Sequence, residues 1–71
     1  MNDALAGANV SRIVRLLERH GGEMDAIELV ESGMATGLSS EDAAEAIRRM
    51  LDRGEVGLTG DMHIRLLRQP A

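Results

Sequence analysis

The stretch Gly37-Leu38-Ser39-Ser40-Glu41-Asp42-Ala43-Ala44-Glu45-Ala46-Ile47-Arg48-Arg49-Met50-Leu51-Asp52-Arg53-Gly54-Glu55-Val56 holds a complete helix between its own start and stop signals. Ser39 offers a side-chain oxygen to the first unpaired N–H groups, and Asp42 three residues on approximates a capping box, with Asp where Glu or Gln is usual. Ala43, Ile47, Met50 and Leu51 recur at helical spacing and are expected to face inward. Gly54 is a natural stop, so the helix should run to about Arg53. The apolar period then drops from about 3.6 to about 2. Val56 and Leu58 alternate with Glu55 and Gly57, Thr59-Gly60-Asp61 reads as a turn, and Met62, Ile64 and Leu66 alternate with His63, Arg65 and Leu67. Two short strands joined this way make a β-hairpin.

Working back toward the N-terminus, Gly37 stops an earlier helix, for which Asp25 is the expected N-cap and Ile27, Val30 and Met34 the expected inward residues. Glu23 and Met24 form a short extended link. Before them, Val10, Ile13, Val14 and Leu17 make the apolar stripe of a first helix, capped by Asn9 and ended by Gly21-Gly22, with His20 in its last turn. The expected organisation is a leader over residues 1–8, one domain over 9–68 and a tail over 69–71. Seventy-one residues allow only one core. The fold class that follows is α+β, mostly α: three helices and then a two-stranded β-hairpin.

Helix, extended piece, helix, helix and hairpin, in that order, resemble the winged-helix variant of the helix-turn-helix, with Val10 to Leu67 carrying the resemblance. Within that group the chain is most similar to the C-terminal winged-helix domain of archaeal minichromosome-maintenance helicases, through Glu41, Asp42, Glu45, Leu51, Gly54, Glu55, His63, Ile64 and Arg65. Small archaeal and bacterial regulators share a similar pattern. The resemblance implies a regulatory appendage rather than a motor, and a lone module or an excised domain, because the chain has no ATPase portion.

A helix-turn-helix reads DNA with the N-terminal residues of its third helix. Here those are Glu41, Asp42 and Glu45, and between Gly21 and Ile47 there are seven acidic residues and no Arg. Net charge is −4, all eight Lys-or-Arg cations are Arg, and Phe, Tyr and Trp are absent, which excludes base stacking on aromatic platforms. The residues expected to touch a partner or DNA are Arg48, Arg49 and Arg53 on helix three, with His63, Arg65 and Arg68 on and after the wing. Glu45 and Asp52 lie three or four residues from Arg48 and Arg49, the spacing of a self-neutralised helix face. Arg12, Arg15 and Arg19 fall within about 60° of one another opposite the apolar stripe of helix one, as on any solvated helix; were that stripe to bind anything, an acidic partner would suit it better than DNA. Met24, Met34, Met50 and Met62 are expected to fill the interior in place of aromatics, while Leu16 and Leu67 are left for a modest surface patch.

The absence of Cys excludes disulfides and thiol catalysis. His20 and His63 have no carboxylate or nucleophile at triad spacing, and no phosphate loop or metal motif is present. The expectation is therefore a cytoplasmic, non-enzymatic module without cofactor or metal. It would dock mainly onto protein in replication or transcription machinery, bind DNA weakly at most, leave membranes alone, and have a homodimer as a further option. The alternative is a DNA-binding transcriptional regulator contacting phosphates through helix three and the wing.

Overall fold

The computed structural model describes residues 3–67, with side chains from residue 7 onward. Three helices, α1 (Asp3–Arg19), α2 (Ala26–Ala35) and α3 (Ser40–Asp52), are combined with three short strands, β1 (Glu23–Asp25), β2 (Val56–Leu58) and β3 (His63–Leu66), in the chain order α1, β1, α2, α3, β2, β3. The N-caps of α2 and α3 are where the sequence puts them. Asp25 Oδ1 accepts from the N–H groups of Ile27 (2.9 Å) and Glu28 (3.3 Å), and Ser39 Oγ accepts from that of Asp42 (3.0 Å). Replacing Ser39 with Ala is expected to cost about 1 kcal/mol. That corresponds to a drop in melting temperature of roughly 4–8 °C for a domain this small. An unchanged melting curve would mean that the hydroxyl does not hold the helix.

All three helices stop in one way. The amide of the residue after the terminal glycine reaches back five residues: Gly22 to the Leu17 carbonyl (2.7 Å), Leu38 to Gly33 (3.1 Å) and Glu55 to Met50 (2.8 Å). Gly21, Gly37 and Gly54 themselves bond back three residues, completing a Schellman motif at each end. Their φ angles of 77°, 109° and 74° lie in the left-handed region that a Cβ penalises.

The start of α1 differs from expectation. Asn9 is not its N-cap; the helix already runs from Asp3. The helix-forming residues Ala4, Leu5, Ala6 and Ala8 extend it upstream, and an Asn inside a helix costs too little to stop that.

The two-stranded wing is also corrected. The sheet has three antiparallel strands in the order β1-β3-β2. The extended link before α2 is β1, pairing Glu23 with Arg65, Met24 with Ile64 and Asp25 with His63. On the other side β2 pairs Val56 with Leu66, Gly57 with Arg65 and Leu58 with Ile64. Alternation along these strands turns Met24, Val56 and Ile64 onto the helices, and all three are buried. With Ile13, Leu16 and Leu17 of α1, Leu29 of α2, Leu38, and Ala43, Ala46, Ile47 and Met50 of α3, they form one core.

Several facings move. α2 turns Leu29 and Gly33 inward, leaving Ile27 (70% exposed) and Met34 (48%) outside. On α3, Ala46 is buried and Leu51 is exposed; Leu16, expected at the surface, belongs to the core. Met24 and Met50 fill the interior as expected, but Met62 is 60% exposed at the hairpin turn, with φ 64°. The turn brings the Thr59 N–H to the His63 carbonyl (2.9 Å), and the Met62 N–H to the Thr59 carbonyl (3.1 Å). This hydrogen-bonded geometry holds Met62 in a left-handed conformation costly to a residue with a side chain. Met62→Gly is expected to raise stability by about 0.5–1 kcal/mol, read from the urea midpoint, because little packing is lost there. A lowered midpoint would show that the methionine side chain holds the turn.

Candidate functional site

The N-terminal half of α3 is acidic and open. Ser39 fixes the start of the helix, and from there Glu41, Asp42 and Glu45 are exposed to solvent. The cations that follow are partly answered on their own helix. Arg49 Nε lies 3.7 Å from Glu45 Oε2, too long for a hydrogen bond, so the pair attracts only through space and with both side chains about half exposed contributes little. The same Nε is covered by protein and has no hydrogen-bond partner. Arg48 and Arg53 are exposed, with Asp52 exposed between them in sequence.

A second group lies on the outer face of the sheet, away from the helices, where alternation puts Glu23, Asp25, His63 and Arg65. His63 Nδ1 stands 2.8 Å from Glu23 Oε2; the ring nitrogen donates, since the carboxylate can only accept. Thr59 Oγ1 takes the N–H of His63 (3.1 Å) and that of Asp61 (3.3 Å), which orders the turn leading into this histidine. Arg65 sits directly across from Glu23. Among the described residues no hydrogen bond or ion pair joins the α3 arginines to His63 or Arg65, and both groups are mixed in charge. Arg68 lies outside the described residues.

The third surface is on α1. Arg12, Arg15 and Arg19, with Leu16 and Thr36, line a hollow of about 220 Å³. Arg12 Nη1 donates to the Thr36 carbonyl at 2.7 Å, joining α1 to the C-terminal cap of α2. A cation there answers the unpaired carbonyls and the negative end of the helix. A second hollow, of about 230 Å³, adjoins Arg15 and is lined by Val10, Ser11, Val14 and Glu18. The sequence shows the arginine stripe but not its contact with Thr36, twenty-four residues on. A helix-end carbonyl attracts any nearby cation, and only the tertiary fold decides which one is near.

Among the described residues no three His, Cys, Asp or Glu side chains gather as a metal would require, and no helix is long and apolar enough to cross a membrane.

No protein-family model matches the chain, nor does any curated protein or solved structure. Three helices with a small antiparallel sheet are compatible with a winged-helix-like fold; the likeness to the archaeal helicase domain gains no support from the comparisons.

Proposed function

We propose that the chain is a non-enzymatic winged-helix module of replication or transcription machinery that docks mainly onto protein and binds DNA weakly at most. The observation that carries this reading is the exposed acidic face of α3. In a winged helix that segment enters the major groove. Here Glu41, Asp42 and Glu45 lead it into solvent. Glu23, Asp25, Glu28 and Glu31 precede them with no arginine between, so β1, α2 and the front of α3 would meet phosphates with like charge. Each such approach opposes the counterion release that drives non-specific binding to DNA. The order of the elements, and the resemblance of residues 37–56 to winged helices, support the module and its setting.

The alternative is a DNA-binding regulator holding phosphates with Arg48, Arg49, Arg53 and Arg65. Its support is that Arg48, Arg53 and Arg65 are exposed.

Titrating the isotope-labelled chain with a mixed-sequence duplex of about 20 base pairs, at low and then moderate salt, separates the two. The expected result is no salt-sensitive shift on α3 or residues 59–67. Saturable shifts confined to those segments, weakened but still present at moderate salt, would favour the regulator reading instead.

A further inference from the structure

We propose that the arginine face of α1 is a docking site for an acidic, amphipathic helix of a partner protein. The inference shares with the preceding reading only the choice of a protein as partner; its surface is separate from α3 and the wing.

Charge balance singles this face out. Among the described residues, neither of the ion pairs involves Arg12, Arg15 or Arg19: one joins Arg49 to Glu45, the other His63 to Glu23. From Gly7 to Arg19 the only acid on α1 is Glu18. On α3, Arg48, Arg49 and Arg53 are outnumbered by Glu41, Asp42, Glu45 and Asp52, whereas here three arginines share their face with the single acid Glu18, which leaves a local positive excess on a chain of net charge −4. All three are exposed.

Spacing decides the shape of the partner. Positions 12, 15 and 19 lie on one side of the helix, and at ~1.5 Å rise per residue they span about 10 Å along its axis. Carboxylates at i, i+3 or i+4, and i+7 of a second helix repeat with the same rise. Helices pack by placing ridges in grooves, and here Arg15 is the ridge. The hollow with Leu16 at its lining lies on one side, and the hollow lined by Val10 and Val14 on the other. A partner helix can therefore set carboxylates against the guanidinium groups and apolar side chains into the hollows.

Arg12 is already ordered. Its 2.7 Å bond to the Thr36 carbonyl holds the guanidinium in place and uses one of its five N–H donors. A fixed fork loses less entropy when it takes a carboxylate. A duplex fits this face less well than a single helix, which is only about 10–12 Å across with its side chains. Glu18 lines the second hollow and would repel phosphates, while a protein helix can offer it a cation or hydroxyl.

The test is an NMR titration of the labelled 71-residue chain with a synthetic helical peptide. The peptide carries Glu at i, i+3, i+4 and i+7 with Leu between, over about 16 residues, and is cross-linked on its far face to hold the helix, because isolated helices of this length are marginal. Saturable shifts are expected on residues 10–19 and on Thr36 and Gly37. Charge reversal at Arg15 and Arg19 (R15E with R19E) should weaken binding about tenfold or more. Both positions are exposed, so this variant should still fold, its melting temperature lowered only by the few degrees that an acid in the last turn of α1 costs; the melting curve is measured alongside, and Arg12 is left intact because it holds α2. Arg48→Ala with Arg49→Ala should leave peptide binding unchanged. The proposal is overturned by an absence of shifts at low salt, by shifts mapping to α3 or the wing, or by a charge-reversed variant that folds and binds equally well. The 20-base-pair duplex shifting α1 more strongly than the peptide would also overturn it, in favour of nucleic acid. None of these α1 results bears on whether α3 and the wing bind a duplex, so the two proposals fail separately.

Discussion

Leu29→Ala is expected to lower stability by about 3 kcal/mol, while Ile27→Ala and Met34→Ala leave it within about 0.5 kcal/mol. Leu29 is completely buried, whereas Ile27 and Met34 are 70% and 48% exposed. Truncating Leu29 removes its transfer free energy and leaves a cavity between helices that can only partly relax. Truncating the other two removes side chains that already touch water. A chain of this length is expected to have only about 4–10 kcal/mol of stability in all. The Leu29 change would thus remove about 30% or more of it and lower the melting temperature by roughly 12–24 °C. Urea denaturation of the three variants gives the comparison directly. Because residues 27 and 29 point about 200° apart on a helix, a large loss at Ile27 with little at Leu29 would mean that α2 presents its other side to the core.

The second large effect is expected at Gly33. A Cβ placed there would lie 3.3 Å from the Ala43 Cβ, 3.3 Å from Ile13 Cδ1 and 3.5 Å from Leu38 Cδ1. This glycine is where α2 comes against α1, α3 and the turn between α2 and α3. Its carbonyl takes the Thr36 N–H (3.1 Å), the Thr36 hydroxyl (2.7 Å) and the Leu38 N–H (3.1 Å), so the same residue ends the helix. For Gly33→Ala two effects oppose. Helix propensity favours Ala by about 1 kcal/mol, but both 3.3 Å contacts must widen by a few tenths of an ångström, easily at the flexible end of Ile13 and less so at Ala43. The net change is expected within about 1 kcal/mol. Gly33→Leu has no such balance: its side chain must push α2 off the core, and a loss of about 3 kcal/mol or failure to fold is expected. A Leu variant with an unchanged urea midpoint would mean that the helices do not meet at this residue.

Both predictions bear on the element the sequence describes least well. α2 is ten residues long and carries Ala26, Ile27, Leu29, Val30, Met34 and Ala35 around much of its circumference. Apolar spacing alone supports Ile27-Val30-Met34 as readily as Leu29-Gly33. The choice is made by close approach at a residue without a side chain, and hydropathy gives glycine no weight. Leu16 is similar: it sits beside the main stripe of α1 and becomes buried, at 9% exposure, only because other elements cover that flank. In the sequence β1 shows only as a link, because three residues are too few to show alternation. Its partner β3 lies forty residues on, with the His63–Glu23 contact across the same pair of strands.

The caps at Asp25 and Ser39, the three glycine stops, the helical stripe of α3 and the alternation of Val56 and Ile64 are legible in the amino-acid sequence alone. Each is a signal between residues no more than about five apart, set by hydrogen-bond geometry and the conformational limits of single residues. Element order, nearly every boundary and the charge of each segment follow from such signals. The face α2 turns inward, the third strand of the sheet, the burial of Leu16, and which arginines stand beside an acid or reach a helix end were decided only by the tertiary structure. Those outcomes depend on which distant surfaces close on one another, and side-chain packing and charge pairing in three dimensions settle that.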